Sequence, residues 1–157
     1  TRQEVGANVD TRAKGGPSID LLVQRSGRSF RYLDQPLHPG DVLSFRLTTD
    51  RPYLLVVGIE ASGKISVYLT DPSGRSSLEA PTGAPRVLDQ GIALDAYLGP
   101  ERFIALLSKK PLAVSAVRSA LEQRFRTLEA HRRETLEIGT LPFPSEQWSW
   151  LIRKVDP

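Results

Sequence analysis

Between Pro39 and Leu69 the chain alternates apolar and polar residues in short runs, broken by turn signals at intervals of about eight to twelve residues. That rhythm predicts an antiparallel β-meander of a sandwich or barrel. In Val42–Thr49, Leu43, Phe45 and Leu47 fall on one face, and Ser44, Arg46 and Thr48 on the other, as in a half-buried strand. Tyr53–Ile59 is almost continuously apolar, so it is expected at the centre of a sheet with both faces covered. Ala61-Ser62-Gly63 turns the chain into Lys64–Leu69, whose inward set is Ile65, Val67 and Leu69. Gly63 supplies the positive φ that such a hairpin needs. Ile19–Gln24 and Ser29–Leu33 read as an earlier strand pair joined through Ser26-Gly27, and Arg86–Asp89 and Phe103–Leu107 complete the strands. Residues 71–85 read as a loop holding at most a short strand.

The period changes after Pro111. Val114, Val117, Leu121, Phe125 and Leu128 recur at three- and four-residue spacing, which predicts one amphipathic helix over about 113–136. Pro111 and Ser115 stand near its start. Arg118–Glu122, Glu122–Arg126 and Glu129–Arg133 are opposite charges one turn apart on its wet side. A strand pattern returns over about 147–155. Residues 1–17 are polar and end in Gly-Gly-Pro, as a flexible tether or linker would. The expected fold is therefore mainly β: an antiparallel sandwich of meander or Greek-key type over 18–157, with one helix near the C-terminus.

Composition narrows the class without naming an activity. A chain of 157 residues, 39% hydrophobic and 25% charged, suits one ordinary globule, able to bury roughly 70% of its unfolded surface. No apolar run approaches the roughly 18 residues of a membrane span. There is no cysteine, which removes disulfides and thiolate metal ligands. Net charge is +3, and most of the 21 basic residues are arginine. Thr1 is not an initiator, so the chain is expected to be a piece of a longer protein, with any anchor upstream.

Few residues invite chemistry. Gly58-Ile-Glu-Ala-Ser-Gly63-Lys64 nearly matches a phosphate-binding loop, but Ile65 stands where a magnesium-binding hydroxyl belongs and Glu60 would place a charge inside the cradle. The residues that follow read as a strand, whereas the motif requires a helix. A hairpin is the expectation. His38 and His131 are far apart and lack partners at metal-ligand or nucleophile spacing. Asp71-Pro-Ser-Gly-Arg resembles the start of a calcium loop, yet Thr82 occupies the position of the bidentate glutamate, so a plain turn is expected. Carboxylates are scattered, and a hydrolytic pair among them is the weakest reading considered.

Trp148 and Trp150 fall on one face of the last strand. They can roof the core, which is the preferred reading, or stack on sugar rings or a partner's side chains. The second reading makes Trp148, Trp150 and Tyr68 the candidate binding surface, joined by Arg126 and Arg133 of the helix. The helix basics are interleaved with Glu122, Glu129, Glu134 and Glu137, so a solvated face is expected there and not a nucleic-acid patch.

Pro39-Gly40-Asp41 leading into VLSFRLTT, then RPYLLVVGI, GKISVY, DQGIALDAYLGPER and FIALLS, together resemble a known pattern. It is that of an uncharacterised bacterial domain-of-unknown-function family of extracytoplasmic β-sandwich modules, as in myxobacterial membrane-anchored anti-sigma-like zinc-finger proteins. The resemblance covers about residues 13–112 and brings no catalytic, cofactor or metal residue with it. It implies a periplasmic location behind a membrane tether, and a non-enzymatic protein-interaction, scaffold or sensor role with another envelope protein as partner. The alternative is a carbohydrate or cell-wall binding module using Trp148 and Trp150. Neither reading calls for a cofactor, nucleic acid or membrane insertion of this segment.

Overall fold

The computed structural model describes residues 16–157, so the expected tether lies almost wholly outside the described residues. The described chain forms β1 (Ser18–Arg25), β2 (Arg28–Arg31), β3 (Val42–Thr49), β4 (Tyr53–Glu60), β5 (Ile65–Leu69), β6 (Leu78–Glu79), β7 (Gly83–Val87), β8 (Ile92–Ala93), β9 (Pro100–Ser108), α1 (Val114–Thr127), α2 (Ala130–Arg133) and β10 (Glu146–Arg153). Two antiparallel sheets result. The first runs β2-β1-β3-β7, with β8 also on β3; the second runs β10-β9-β4-β5, with β6 also on β4. The architecture is a mainly β sandwich with a helix near the C-terminus.

Alternation decides what lies between the sheets. Leu21 and Val23 of β1, Leu43, Phe45 and Leu47 of β3, Leu54 and Val56 of β4, and Phe103, Ala105 and Leu107 of β9 form one buried cluster. The opposite face of the second sheet is also covered. Leu55, Val57, Ile59, Ile104 and Leu106 pack beneath Val114, Val117 and Leu121 of α1 and against Ile138 and Leu141. Strand β4 is therefore apolar on both faces because it is buried on both, between the sandwich core and the helix layer.

The helix is shorter than its apolar stripe predicts. α1 ends at Thr127; Leu128 and Glu129 are extended, and only the four residues of α2 return to helix. The break lets the chain double back, so that Leu136, Ile138 and Leu141 reach the sheet instead of projecting beyond it. Two guanidiniums hold this return. Arg102 donates to the carbonyls of Thr135 (2.6 Å) and Leu136 (3.1 Å), and Arg124 donates to that of Ile138 (2.9 Å). Burial lowers the Arg102 pKa to about 10. The helix N-cap is Ala113, without a side-chain cap bond, so Ser115 does not cap it. Strand β7 begins three residues before the expected Arg86, and β8 was not anticipated. Both are edge pieces with few apolar residues to mark them.

Candidate functional site

The buried charged side chains are Asp41 (2% exposed), Glu60 (5%), Glu101 (2%) and Lys154 (3%), and all four lie at one end of the sandwich. Asp41 precedes β3, Glu60 closes β4, Glu101 stands at the start of β9, and Lys154 follows β10. The sheets meet there through Leu37, which exchanges backbone hydrogen bonds with Arg153 and Val155, while Gly40 and Asp41 extend the β3–β8 ladder by bonding Leu94.

Asp41 is held on all sides. Arg25 donates from Nε at 2.8 Å and from Nη2 at 2.7 Å, one bond to each carboxylate oxygen, and the His38 amide donates at 2.8 Å. The bonded Arg25 guanidinium keeps the Asp41 carboxyl below the usual aspartate range, with the His38 amide adding to it. Gly40, at φ +90, makes the turn that brings this carboxylate back under the β1–β2 hairpin. Arg25 also lies over the Phe30 ring, 5.2 Å from its centroid.

Glu60 and Glu101 face each other across the β4–β9 ladder. Glu101 accepts a hydrogen bond from the Tyr68 hydroxyl, and Tyr68 stacks on Phe103 at 4.9 Å between centroids. Gly58 permits this. A Cβ there would lie 2.5 Å from Glu101 Oε2 and 2.8 Å from Tyr68 Cε2. Burial raises the Glu101 pKa, against the opposing hydrogen bond from Tyr68 and the charge of Lys154. Burial, then Glu101, raises that of Tyr68. Lys154 donates to Asp95 Oδ1 at 2.5 Å and to the Asp95 carbonyl at 3.2 Å, with its ammonium 5.7 Å from the Tyr97 ring centroid. Asp95 is lowered in consequence. These contacts tie the segment between β8 and β9 to the end of β10. Glu60 and Glu101 are a carboxylate pair, but both are buried, and the Glu101 carboxylate is bound inside the fold.

Above the Arg25–Asp41 pair the surface is concave. An open groove of about 920 Å³ runs between the β1–β2 turn and the Pro39–Asp41 turn, bordered by Arg25, Arg28, His38 and Pro157 among others. This end of the sandwich also carries the exposed apolar side chains of Leu98 and Val155.

The candidate surface residues named from sequence do not converge. Trp148 is 7% exposed and belongs to the core between the sheets; Trp150 packs against that core, 6.0 Å from the Phe45 ring. Two indoles presented side by side to a sugar are therefore not what β10 offers. Tyr68 is half-buried and committed to Glu101. Arg126 and Arg133 lie in the helix layer, on the other side of the second sheet. Arg126 bonds Gln123 at 2.8 Å; Arg133 bonds the Leu128 carbonyl at 3.2 Å and covers the Phe125 ring.

The Gly58–Lys64 segment is the β4–β5 hairpin, with Gly63 at φ +92 and Glu60 N–H donating to Lys64 O at 2.9 Å. His131 stands exposed, 3.5 Å from Glu129. Asp71 Oδ1 accepts hydrogen bonds from Ser73 Oγ and the amides of Arg75 and Ser76, making a self-contained turn. Among the described residues no group of three or more His, Cys, Asp or Glu side chains is placed to hold a metal ion. No helix among them is long and apolar enough to cross a membrane.

Comparison with protein-family models, curated proteins and solved structures found no match for the chain. Spacing and motif mark none of Arg25, Asp41, Glu60, Glu101 and Lys154 as a site residue. A usable signal existed for three of them. Glu101 is in phase with Phe103, Ala105 and Leu107; Glu60 with Leu54 and Val56; and Lys154 with Trp148 and Ile152. A charge standing in an inward-facing register is either buried with a partner or at the strand's end, and here both hold.

Proposed function

We propose that this domain is a non-catalytic interaction or scaffold module of a bacterial envelope protein, and that it docks its partner through the charged end of the sandwich. The observation carrying this reading is the convergence of Asp41, Glu60, Glu101 and Lys154 on the connections at that one end. Burying an ionic pair gains less stability than burying an apolar pair of similar volume. Hydrogen-bonded charges do, however, fix loops in one arrangement, and binding sites rely on loops held ready for a partner. The resemblance of the segments between Pro39 and Ser108 to extracytoplasmic bacterial modules supports the envelope setting, and the polar residues 1–17 suit a tether.

Site-specific photo-crosslinking tests the reading. A photoreactive residue is placed at Leu98, exposed at the charged end, and separately at Arg126 on the helix layer, in cells of the source organism. The expected result is one discrete adduct from Leu98 in the envelope fraction and none from Arg126. Adducts from Arg126 alone, or none from either position, would overturn the docking face. Adducts confined to the cytosol would overturn the location.

A further inference from the structure

We infer that the free edge of β5 pairs with β5 of a second copy of this chain, antiparallel about a two-fold axis at Ser66, so that the second sheets of two protomers join into one. The pairing uses the side of the sandwich and is independent of the docking face at its charged end.

Backbone bonding points to this edge. Glu60 N–H donates to the Lys64 carbonyl at 2.9 Å, so Lys64 and, two residues on, Ser66 turn their peptide groups toward β4. Ile65 and Val67 therefore turn theirs outward, and among the described residues those groups have no partner. The other edge strands are protected. On β2 the Gln35 side chain accepts from Leu33 N–H and donates to the Arg31 carbonyl. On β10 the Tyr32 hydroxyl donates to the Leu151 carbonyl, and Leu37 bonds Arg153 and Val155. β7 carries Pro85, which has no N–H to offer. β5 has no proline and no charge, and its first four residues are half-buried. An edge of that kind is a template for another strand.

The edge suits its own copy better than a longer strand. β5 leaves the β4–β5 turn at Lys64, and its regular register with β4 ends at Val67, where the ladder shifts. A strand of ordinary length laid along it would overrun this flat stretch. A second β5 has its own flat stretch at the same residues. With the axis at Ser66, Ile65 faces Val67 of the copy and Val67 faces its Ile65, each pair exchanging both hydrogen bonds. Every outward donor and acceptor is then used. Lys64 falls opposite Tyr68 of the copy, so no like charges oppose each other. Ile65 and Val67, only partly buried beside α1, gain β-branched neighbours. In the first sheet β7 lies on this same side, since β2 and β10 meet at the other through Tyr32 and Leu151. Its small residues Gly83, Ala84 and Pro85 leave room for the copy.

The test is sedimentation equilibrium of the full chain up to about 1 mM, with isotope-filtered NMR on mixed labelled and unlabelled protein. The expected result is a dimer with intermolecular contacts between Ile65 and Val67. Val67→Pro removes an outward donor without touching the ladder to β4, and should weaken the dimer about tenfold or more. If that variant does not fold, Ser66→Lys and Ser66→Glu replace it: each alone should be monomeric, and their equimolar mixture dimeric. A parent that stays monomeric, a dimer unweakened by Val67→Pro, or one without the Ile65–Val67 contacts would overturn the inference. Self-association of either Ser66 variant alone, or none in their mixture, would do the same. A monomer whose Ile65 and Val67 amides shift on adding the peptide Lys-Ile-Ser-Val-Tyr-Leu would give the edge to a partner's strand, and the second copy would fall.

Discussion

At one end of the sandwich the buried polar side chains are Asp41, Glu60, Glu101 and Lys154; at the other they are Thr49, Ser77 and Ser108. The two ends solve the same problem, holding the connections between strands, with different chemistry. Thr49 and Ser108 act locally. Thr49 Oγ1 accepts from the amide of Arg51 at 2.8 Å, and Ser108 Oγ donates to the carbonyl of Lys110 at 2.7 Å. Ser77 reaches further, accepting from the Leu112 amide at 2.9 Å. The charged end ties together strands remote in sequence: Arg25 to Asp41, Tyr68 to Glu101, and Asp95 to Lys154. A neutral hydroxyl with one backbone partner loses little on leaving water, whereas a buried charge is tolerable only when fully bonded. The charged end is therefore the more exacting structure, and it is the one that carries the groove.

The largest effect expected from this contrast is that of Asp41→Ala, which leaves Arg25 and the His38 amide without their acceptor. It should cost about 3 kcal/mol in urea unfolding. A loss below about 1 kcal/mol would make the two ends equivalent. Gly58→Ala pushes a methyl group into Glu101 and Tyr68 and should cost about 2 kcal/mol by overpacking. Unchanged stability there would mean that the two side chains can move aside and are not held as described.

Glu101→Gln sharpens the comparison through pH. Burial raises the Glu101 pKa, so the stability this group contributes is complete below the ordinary glutamate range and is lost as pH rises through the raised value. Asp41 and Asp95 are lowered, so their contribution is present above the ordinary aspartate range and is lost as pH falls. Gln keeps an acceptor for Tyr68 and removes the titration. Relative to the parent, the variant should gain stability as pH rises above the ordinary glutamate range, levelling off once the raised value is passed, by about 1.4 kcal/mol for each tenfold strengthening of the Glu101 proton affinity. Parallel stability curves for the two proteins would show that Glu101 binds its proton no more tightly folded than unfolded.

The smallest effect belongs to the other end. Ser108→Ala removes one neutral hydrogen bond and should cost about 1 kcal/mol. A loss as large as that of Asp41→Ala would erase the distinction between the ends.

Alternation in Val42–Thr49 and the apolar run in Tyr53–Ile59 sufficed to place β3 and β4, because strand periodicity is a local property and both strands are strongly patterned. The helix was legible as far as its stripe remained in phase. Its end was not, because the break at Leu128 is set by remote partners: Arg102 on β9 reaching the carbonyls of Thr135 and Leu136, and the apolar floor that takes Leu136 and Ile138. The Trp148 and Trp150 face was also correctly phased. Only packing against Phe45 and the rest of the sandwich core turned that face inward.

The residue order thus contains the strand phases, the hairpin at Gly63, the amphipathic helix and the misfit charges at Glu60, Glu101 and Lys154, since each is written within a few residues of chain. It does not contain the charged end as a place. Arg25 meets Asp41 because β1 pairs with β3 in one register, Tyr68 meets Glu101 because β5 and β9 flank β4, and Lys154 meets Asp95 because the two sheets stack in one relative orientation; strand pairing and stacking are both decided by the whole core, and no local pattern records them. The groove beside the Arg25–Asp41 pair exists only once β1, β2 and β3 have paired and the chain beyond β10 has come to lie against them.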